Sequence, residues 1–168
     1  KGHKIVPYCP RCGTSLSSHE VAQGYKDVKE TSCIAKFEVK NEENTYILAW
    51  TTTPWTLPSN VALCVSPKDE YVKIKMQDGT KYILAEALVS SVIEGDYEVE
   101  RKYIGEELCD IEYKPLYNFV NPEERCWFVV ADNYVTLTDG TGVVHIAPAF
   151  GEDDSRVGKD NNLPFVQL

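Results

Sequence analysis

The chain has 168 residues and a formal net charge of −9, long enough for one domain with a real core. That charge argues against broad binding along a nucleic-acid backbone, while a local contact to one end of an RNA stays compatible with it. No apolar run approaches the roughly 20 residues of a membrane helix, and the leading Lys-Gly-His-Lys lacks a signal peptide's apolar segment; a soluble piece of a larger chain, with no membrane partner, is expected.

Residues 8–13, YCPRCG, read as a tight knuckle. Its thiols, Cys9 and Cys12, could both face one metal ion, as half a zinc site, or remain a turn with two free thiols. His19 is the nearest further ligand. A thioredoxin-type role is disfavoured because no βαβ pattern surrounds the pair. The other four cysteines are scattered through apolar text, which suits buried thiols in a reducing compartment, the cytoplasm, rather than a disulfide framework. Residues 14–32 are a polar connector, with a helical turn opening at Ser18-His19-Glu20.

From Ser32 the text is β-rich. Ile34–Val39 and Tyr46–Thr52, separated by the polar loop 40–44, predict a hairpin. Trp50–Asn60, WTTTPWTLPSN, fits neither strand nor turn. Thr51, Thr52 and Thr53 suit a strand end, and Pro54 and Pro58 then stop the ladder, so 53–58 should be a fixed, non-regular crossing with hydroxyls pointing off it. Either this is the rim of a site, or the threonines merely favour a strand and Trp50 and Trp55 are core. Val61–Val65 is a short strand. Tyr71–Met76 alternates, placing Val72, Ile74 and Met76 opposite Tyr71, Lys73 and Lys75 as in a half-buried strand, and Asp78-Gly79 turns it back into Lys81–Leu84. Ala85, Leu88, Val89, Val92 and Ile93 carry helical spacing, predicting a helix over 85–94 stopped by Gly95.

Tyr97–Ile104 reads as a strand, Ile111–Tyr117 as an extended piece limited by Pro115, and Cys126–Ala131 as a buried strand. Tyr134–Leu137 leads into Asp139-Gly140-Thr141-Gly142, whose glycines permit close backbone approach. Val143–Ile146 is a strand, and the acidic turn 151–155 opens a short helix through Arg156 and Val157. Many short strands with one or two helices argue for a mainly β fold with flanking helices, closed or nearly closed.

Of His3, His19 and His145, only His145 lies in a buried strand with an acidic cluster nine residues on. The absence of HxH, HxxxH and HExxH spacing disfavours zinc hydrolysis, and the absence of a GxSxG elbow or an activated cysteine disfavours a covalent triad. On the residues alone His145 is a core histidine or a site residue, and Asp153 and Asp154 are helix caps or site residues.

Trp50–Asn60, followed by Gly140–His145, Ala147-Pro148 and Asp154, resembles the editing domain (connective peptide 1) of the isoleucyl-tRNA synthetases. Valyl and leucyl relatives carry arginine where Thr53 stands and an acidic residue where Trp55 stands, so the chain sides with the isoleucyl family. Both motifs occur in the right order, and the likeness runs over 45–160 and beyond. It implies a β-barrel of the Val/Ile/Leu editing type over 31–168. Ahead of it, over 1–30, stands a stalk holding half a zinc knuckle.

The implied activity is hydrolysis of valine mischarged onto tRNA(Ile), with valyl adenylate as a further substrate, inside an ATP-binding ligase. Thr51, Thr52 and Thr53 would present hydroxyls and amides to the terminal adenosine and the attacking water, and Asp154 would hold the α-ammonium. Trp50, Trp55, Thr56, Asn60, His145, Ala147 and Pro148 would bind substrate, His145 as the wall that excludes isoleucine. Editing would need no cofactor; a structural zinc at Cys9 and Cys12 is the one metal implied. The partners would be the tRNA(Ile) 3′ end, the valyl-adenosine moiety and the remainder of the synthetase. Where the family commonly has aspartate or tyrosine after Ala147-Pro148, this chain has Ala149. The reading of a different class is a non-catalytic, zinc-stalked β-barrel whose threonines only pack.

Overall fold

The computed structural model describes residues 5–26, 29 and 31–168, so His3 lies outside the described residues. The chain divides into two compact units, Lys1–Thr31 and Ser32–Leu168. In the first, β1 (Tyr8–Cys9) and β2 (Thr14–Ser15) pair antiparallel. The turn between them is closed by Gly13 N–H on Cys9 O at 2.9 Å. The helix α1 (Ser18–Ala22) follows. It starts where a capping box allows: Ser17 Oγ accepts from Glu20 N–H while Glu20 Oε2 accepts from Ser17 N–H.

The second unit begins with β3 (Cys33–Glu38) and β4 (Thr45–Thr51), the expected hairpin, in register from Cys33–Thr51 to Glu38–Tyr46. The crossing after β4 is a 3₁₀ helix, Pro54–Ser59, with Pro54 in its first turn. Next come β5 (Ala62–Val65), β6 (Glu70–Met76) and β7 (Lys81–Ala85). The predicted helix over 85–94 is reduced to a 3₁₀ turn, Glu86–Leu88, and a single α turn, α2 (Val89–Val92). Ala85 is claimed by the sheet, its N–H donating to Thr141 O at 2.9 Å. Then follow β8 (Tyr97–Ile104), a 3₁₀ turn (Gly105–Leu108), β9 (Phe128–Ala131), β10 (Val143–Ile146) and α3 (Glu152–Asp160). No strand forms over 134–137.

One mixed sheet takes eight strands in the order β8-β6-β7-β4-β10-β5-β9, with β3 also on β4. One edge of β4 is wholly covered by β3. Its other edge is divided between β7, at Thr45–Ile47, and β10, at Trp50. Sharing an edge in this way makes the sheet curl. The expected closed or nearly closed barrel is not what forms: the sheet is a curled half-barrel that stays open. β8 and β9, the two ends, have no ladder between them. Residues 112–113 meet Val39 and Phe128 only in isolated bridges, because Pro115 has no amide to extend a ladder and Trp127 adopts a φ of 61°.

The main core joins Phe37, Ile47, Leu63, Tyr71 and Tyr113, a second cluster packs Val157 of α3 against Ile146, Phe128 and Val130, and a third sets Val89 on Leu48, Val72, Ile74 and Leu84. Each such aliphatic side chain contributes about 1.5–3 kcal/mol on burial. Tyr71 departs from the expected alternation. It is fully buried, its hydroxyl donating to Gly142 O at 2.6 Å and accepting from Ser66 N–H at 2.9 Å. Both faces of β6 are thus covered at this end. Among the described residues no helix is long and apolar enough to cross a membrane.

Candidate active site

β4 and β10 run parallel, with Val144 beside Trp50. Segments leaving the carboxyl ends of two adjacent parallel strands emerge on the same side, as at the ligand-binding crevices of α/β sheets. The threonine stretch and the His145–Asp154 stretch are therefore brought together although far apart in sequence. They line a cavity of about 230 Å³ with Trp50, Thr51, Thr52, Thr53, Thr56, Tyr134, Val144, His145, Phe150, Gly151 and Asp154.

The threonines form a hydroxyl chain. Thr53 N–H donates to Thr51 Oγ1 at 3.0 Å, Thr51 and Thr53 Oγ1 are 3.4 Å apart, and Thr53 and Thr56 Oγ1 are 3.5 Å apart. Thr56 Oγ1 donates to Thr53 O at 2.8 Å and lies 3.0 Å from His145 Nε2. A hydroxyl has one proton, so with Thr53 O taking it, Thr56 accepts from His145 Nε2–H, leaving Nδ1 the bare nitrogen. Nδ1 is buried without a partner. Burial pulls the His145 pKa down to about 4, so the ring is neutral near pH 7 and shapes the wall without carrying charge.

Asp154 sits in the first turn of α3, where Gly151 takes the capping position without a side chain. Its Oδ2 accepts from Ala147 N–H at 2.9 Å. A Cβ at Gly151 would lie 3.2 Å from Asp154 Cγ and Oδ1, so the glycine leaves room for the carboxylate over the cavity. Burial raises the pKa of Asp154, the Ala147 amide opposes that rise, and the charge of Asp153 adds to it. A half-buried carboxylate with no cation partner among the described residues stands ready for a positively charged ligand group. Asp153 faces Arg156 instead, at 3.5 Å.

Trp50 is held by the Asp139–Gly142 turn. Gly140 has a φ of 75°, and a Cβ there would come within 2.6 Å of Trp50 Cγ, so only glycine lets the backbone lie flat on the indole.

The remaining expected residues stand elsewhere. Ala147 contributes its amide to Asp154, and Pro148 packs under Gly158 of α3. Trp55 is 72% exposed and does not line the cavity. Nor does Asn60: it is buried, its Nδ2 donating to Ala62 O, its Oδ1 accepting from Tyr113 and its carbonyl from Trp127 Nε1, which anchors the end of the 3₁₀ helix to the core. Tyr134, Val144, Phe150 and Gly151 join the cavity without having been singled out in the sequence. Phe150 and Gly151 lie inside the second motif; Tyr134, in an irregular turn, carried no local signal.

In the first unit, the Cys12 thiol is hydrogen-bonded to Thr14 Oγ1 at 3.2 Å. Thr14 and then Cys9 lower its pKa. No group of three or more His, Cys, Asp or Glu side chains that could hold a metal occurs among the described residues. The two thiols fit half a tetrahedral zinc set and no more.

No family model matches the chain. Over its whole length, however, it is 60% identical to the isoleucine–tRNA ligase of Clostridium acetobutylicum and 54% identical to that of Bacillus thuringiensis. The chain is thus similar, over all of its own length, to a segment of the isoleucyl-tRNA synthetases. It spans 16% of the length of these relatives. Among solved structures it is similar to GlLeuRS-CP1, with a TM-score of 0.65 at 19% identity over 77% of this chain and 60% of that one. It is also similar to the P. knowlesi cytosolic leucyl-tRNA synthetase editing domain, with a TM-score of 0.63 at 14% identity over 83% and 66%. At such identities the likeness is one of fold. Both cavity-lining motifs fall inside the stretch aligned with the isoleucine–tRNA ligases.

Proposed function

We propose that this segment is the editing hydrolase of a cytoplasmic isoleucyl-tRNA synthetase, clearing valine mischarged onto tRNA(Ile) and, within the whole enzyme, valyl adenylate. The observation that carries the reading is a half-buried carboxylate, Asp154, with no ion-pair partner among the described residues, sharing one small cavity with the threonine hydroxyl chain and the neutral His145 ring. A synthetic site has a reason to need it. One methylene in an apolar pocket is worth only about 1–3 kcal/mol, a figure long established for isoleucine against valine and not a result of this structure.

In this reading Asp154 pairs with the α-ammonium, and His145 and Trp50 bound the side chain so that isoleucine's extra methylene has no room. The threonines orient the terminal ribose and a water. The water oxygen bonds to the ester carbonyl carbon as the water gives up a proton, the bond to the ribose oxygen breaks, and that oxygen takes up a proton, releasing valine and uncharged tRNA. An aminoacyl ester is already activated, so positioning and carbonyl polarisation suffice without a covalent intermediate. At a net charge of −9 the segment grips only the 3′ end, and the rest of the synthetase supplies the phosphate contacts. Cys9 and Cys12 supply half of a structural zinc site whose other ligands come from elsewhere in the enzyme; Cys12→Ser lowers the bound zinc of the full-length protein.

The deciding experiment compares deacylation of Val-tRNA(Ile) and Ile-tRNA(Ile) by the full-length synthetase and its His145→Ala variant. The parent clears only the valyl ester; the variant also clears the isoleucyl ester. Background rates for the parent with both esters would favour a non-catalytic binding module.

A further inference from the structure

Two walls of the cavity, Tyr134 and Asp154, belong to different elements: Tyr134 to the turn after β9, Asp154 to the first turn of α3. What joins them lies outside the cavity. Arg156, two residues beyond Asp154, places Nη1 at 2.7 Å from Asp132 Oδ2 and Nη2 at 3.0 Å from Asp132 Oδ1. The same Oδ1 accepts from Tyr134 N–H at 3.0 Å, and the Asp132 N–H donates to Val65 O at 3.0 Å. The guanidinium also lies over the Tyr134 ring, 5.8 Å from its centroid. Asp132 is thus tied through its backbone to β5 and through its carboxylate to the turn carrying Tyr134 and to α3.

The apolar contact of α3 does different work. Val157 is fully buried against Ile146 and its neighbours, which holds the helix close to the sheet, but apolar burial is non-directional and leaves rotation about the helix axis soft. A two-pronged guanidinium–carboxylate fork is directional. With Arg156 45% exposed and Asp132 20% exposed, the pair adds little stability. Its value lies in orientation.

We propose that Arg156 is a positioning residue for this site: its fork on Asp132 sets the rotation of α3, and so the placement of the Asp154 carboxylate against Tyr134 across the cavity. The proposal rests on the editing reading for its kinetic consequence only. Removing the fork leaves the helix docked and the carboxylate misaligned, and a displacement on the scale of 1 Å costs up to about 100-fold in rate.

The experiment uses the full-length synthetase with Arg156→Gln, Arg156→Lys and Asp132→Asn, read by Val-tRNA(Ile) deacylation and by amide hydrogen exchange. Each variant is expected to lower kcat on the order of 10-fold with KM for the tRNA unchanged, and to speed exchange at the Ala147 amide, whose acceptor is Asp154, while peptides from β3 keep their protection. Lysine does not rescue, because an ammonium cannot span both oxygens. Arg156→Gln combined with Asp132→Asn is no worse than either alone. Unchanged Ala147 exchange in all three variants, or full rescue by lysine, overturns the proposal. If the unmodified synthetase fails to clear valyl-tRNA, the editing reading falls, and Ala147 exchange still decides the clamp.

Discussion

Thr56 Oγ1 and His145 Nε2 are 3.0 Å apart across 89 positions of sequence, and this contact fixes the histidine ring as one wall of the cavity. Thr56→Val keeps the shape and removes the acceptor, leaving Nε2–H buried and unpaired beside an Nδ1 that already has no partner. Such a group costs about 1–3 kcal/mol. The melting temperature of the variant should fall accordingly, and its discrimination between valyl and isoleucyl esters should narrow as the ring loosens; an unchanged melting temperature would contradict the assigned tautomer.

Asp154→Asn separates charge from shape. The amide oxygen still accepts from Ala147 N–H, while the ammonium partner loses its counter-charge. Losing one member of a buried charge pair costs at least about 2–3 kcal/mol, so deacylation of Val-tRNA(Ile) should drop on the order of 100-fold. Stability should move the other way. Burial raises the folded-state pKa of Asp154 above its unfolded value of 3.8, so its contribution to stability falls as pH rises through that window and is unfavourable at neutral pH. The variant should therefore melt higher than the parent at pH 7 and lose that advantage in acid.

The pH dependence of His145 has the opposite sign. Its folded value of about 4 lies below the ordinary 6.5, so the unfolded chain takes up the proton first as pH falls. The stability held by the neutral ring is complete above pH 6.5 and is lost between 6.5 and about 4, by about 3 kcal/mol at most. Denaturant midpoints measured across that range should slope for the parent and flatten for His145→Gln.

Gly140→Ala tests the seat of Trp50. The new methyl meets the indole at 2.6 Å and forces an alanine into a φ of 75°, a combination that should cost more than about 1 kcal/mol. Indole fluorescence should shift along with the melting temperature, because Trp50 must move off the turn. A silent spectrum would mean that the backbone yields instead.

The hairpins β3–β4 and β6–β7 were readable because their partners are neighbours in sequence and the signals, alternation and Asp78-Gly79, are local. The parallel pairings of β4 with β10 and of β5 with β9 leave no local mark, and they decide where the cavity is. Ala85, Leu88, Val89, Val92 and Ile93 have helical spacing, yet the hydrogen bond from Ala85 to Thr141 keeps the first of them in a strand. Tyr71 looked like the solvent side of an alternating strand; its hydroxyl could be buried only because Gly142 O, 71 positions away, accepts from it. Most of the site was legible because it resides in two contiguous motifs. Trp55 and Asn60 belong to the first of these by sequence, but the 3₁₀ helix turns one outward and the other into the core.

The placement of β10 has a consequence for how the molecule is made. It is the last strand in the chain and lies between β4 and β5, so a nascent chain leaving the ribosome has both flanking strands long before the one that joins them. Until residues 143–146 arrive, the parallel edge at Trp50 and the antiparallel edge at Leu63 have no partner, and long-range pairings of this kind form slowly. Growing chains are therefore most exposed to aggregation just before this strand emerges, and the cavity comes into being in the same event that joins β4 to β5.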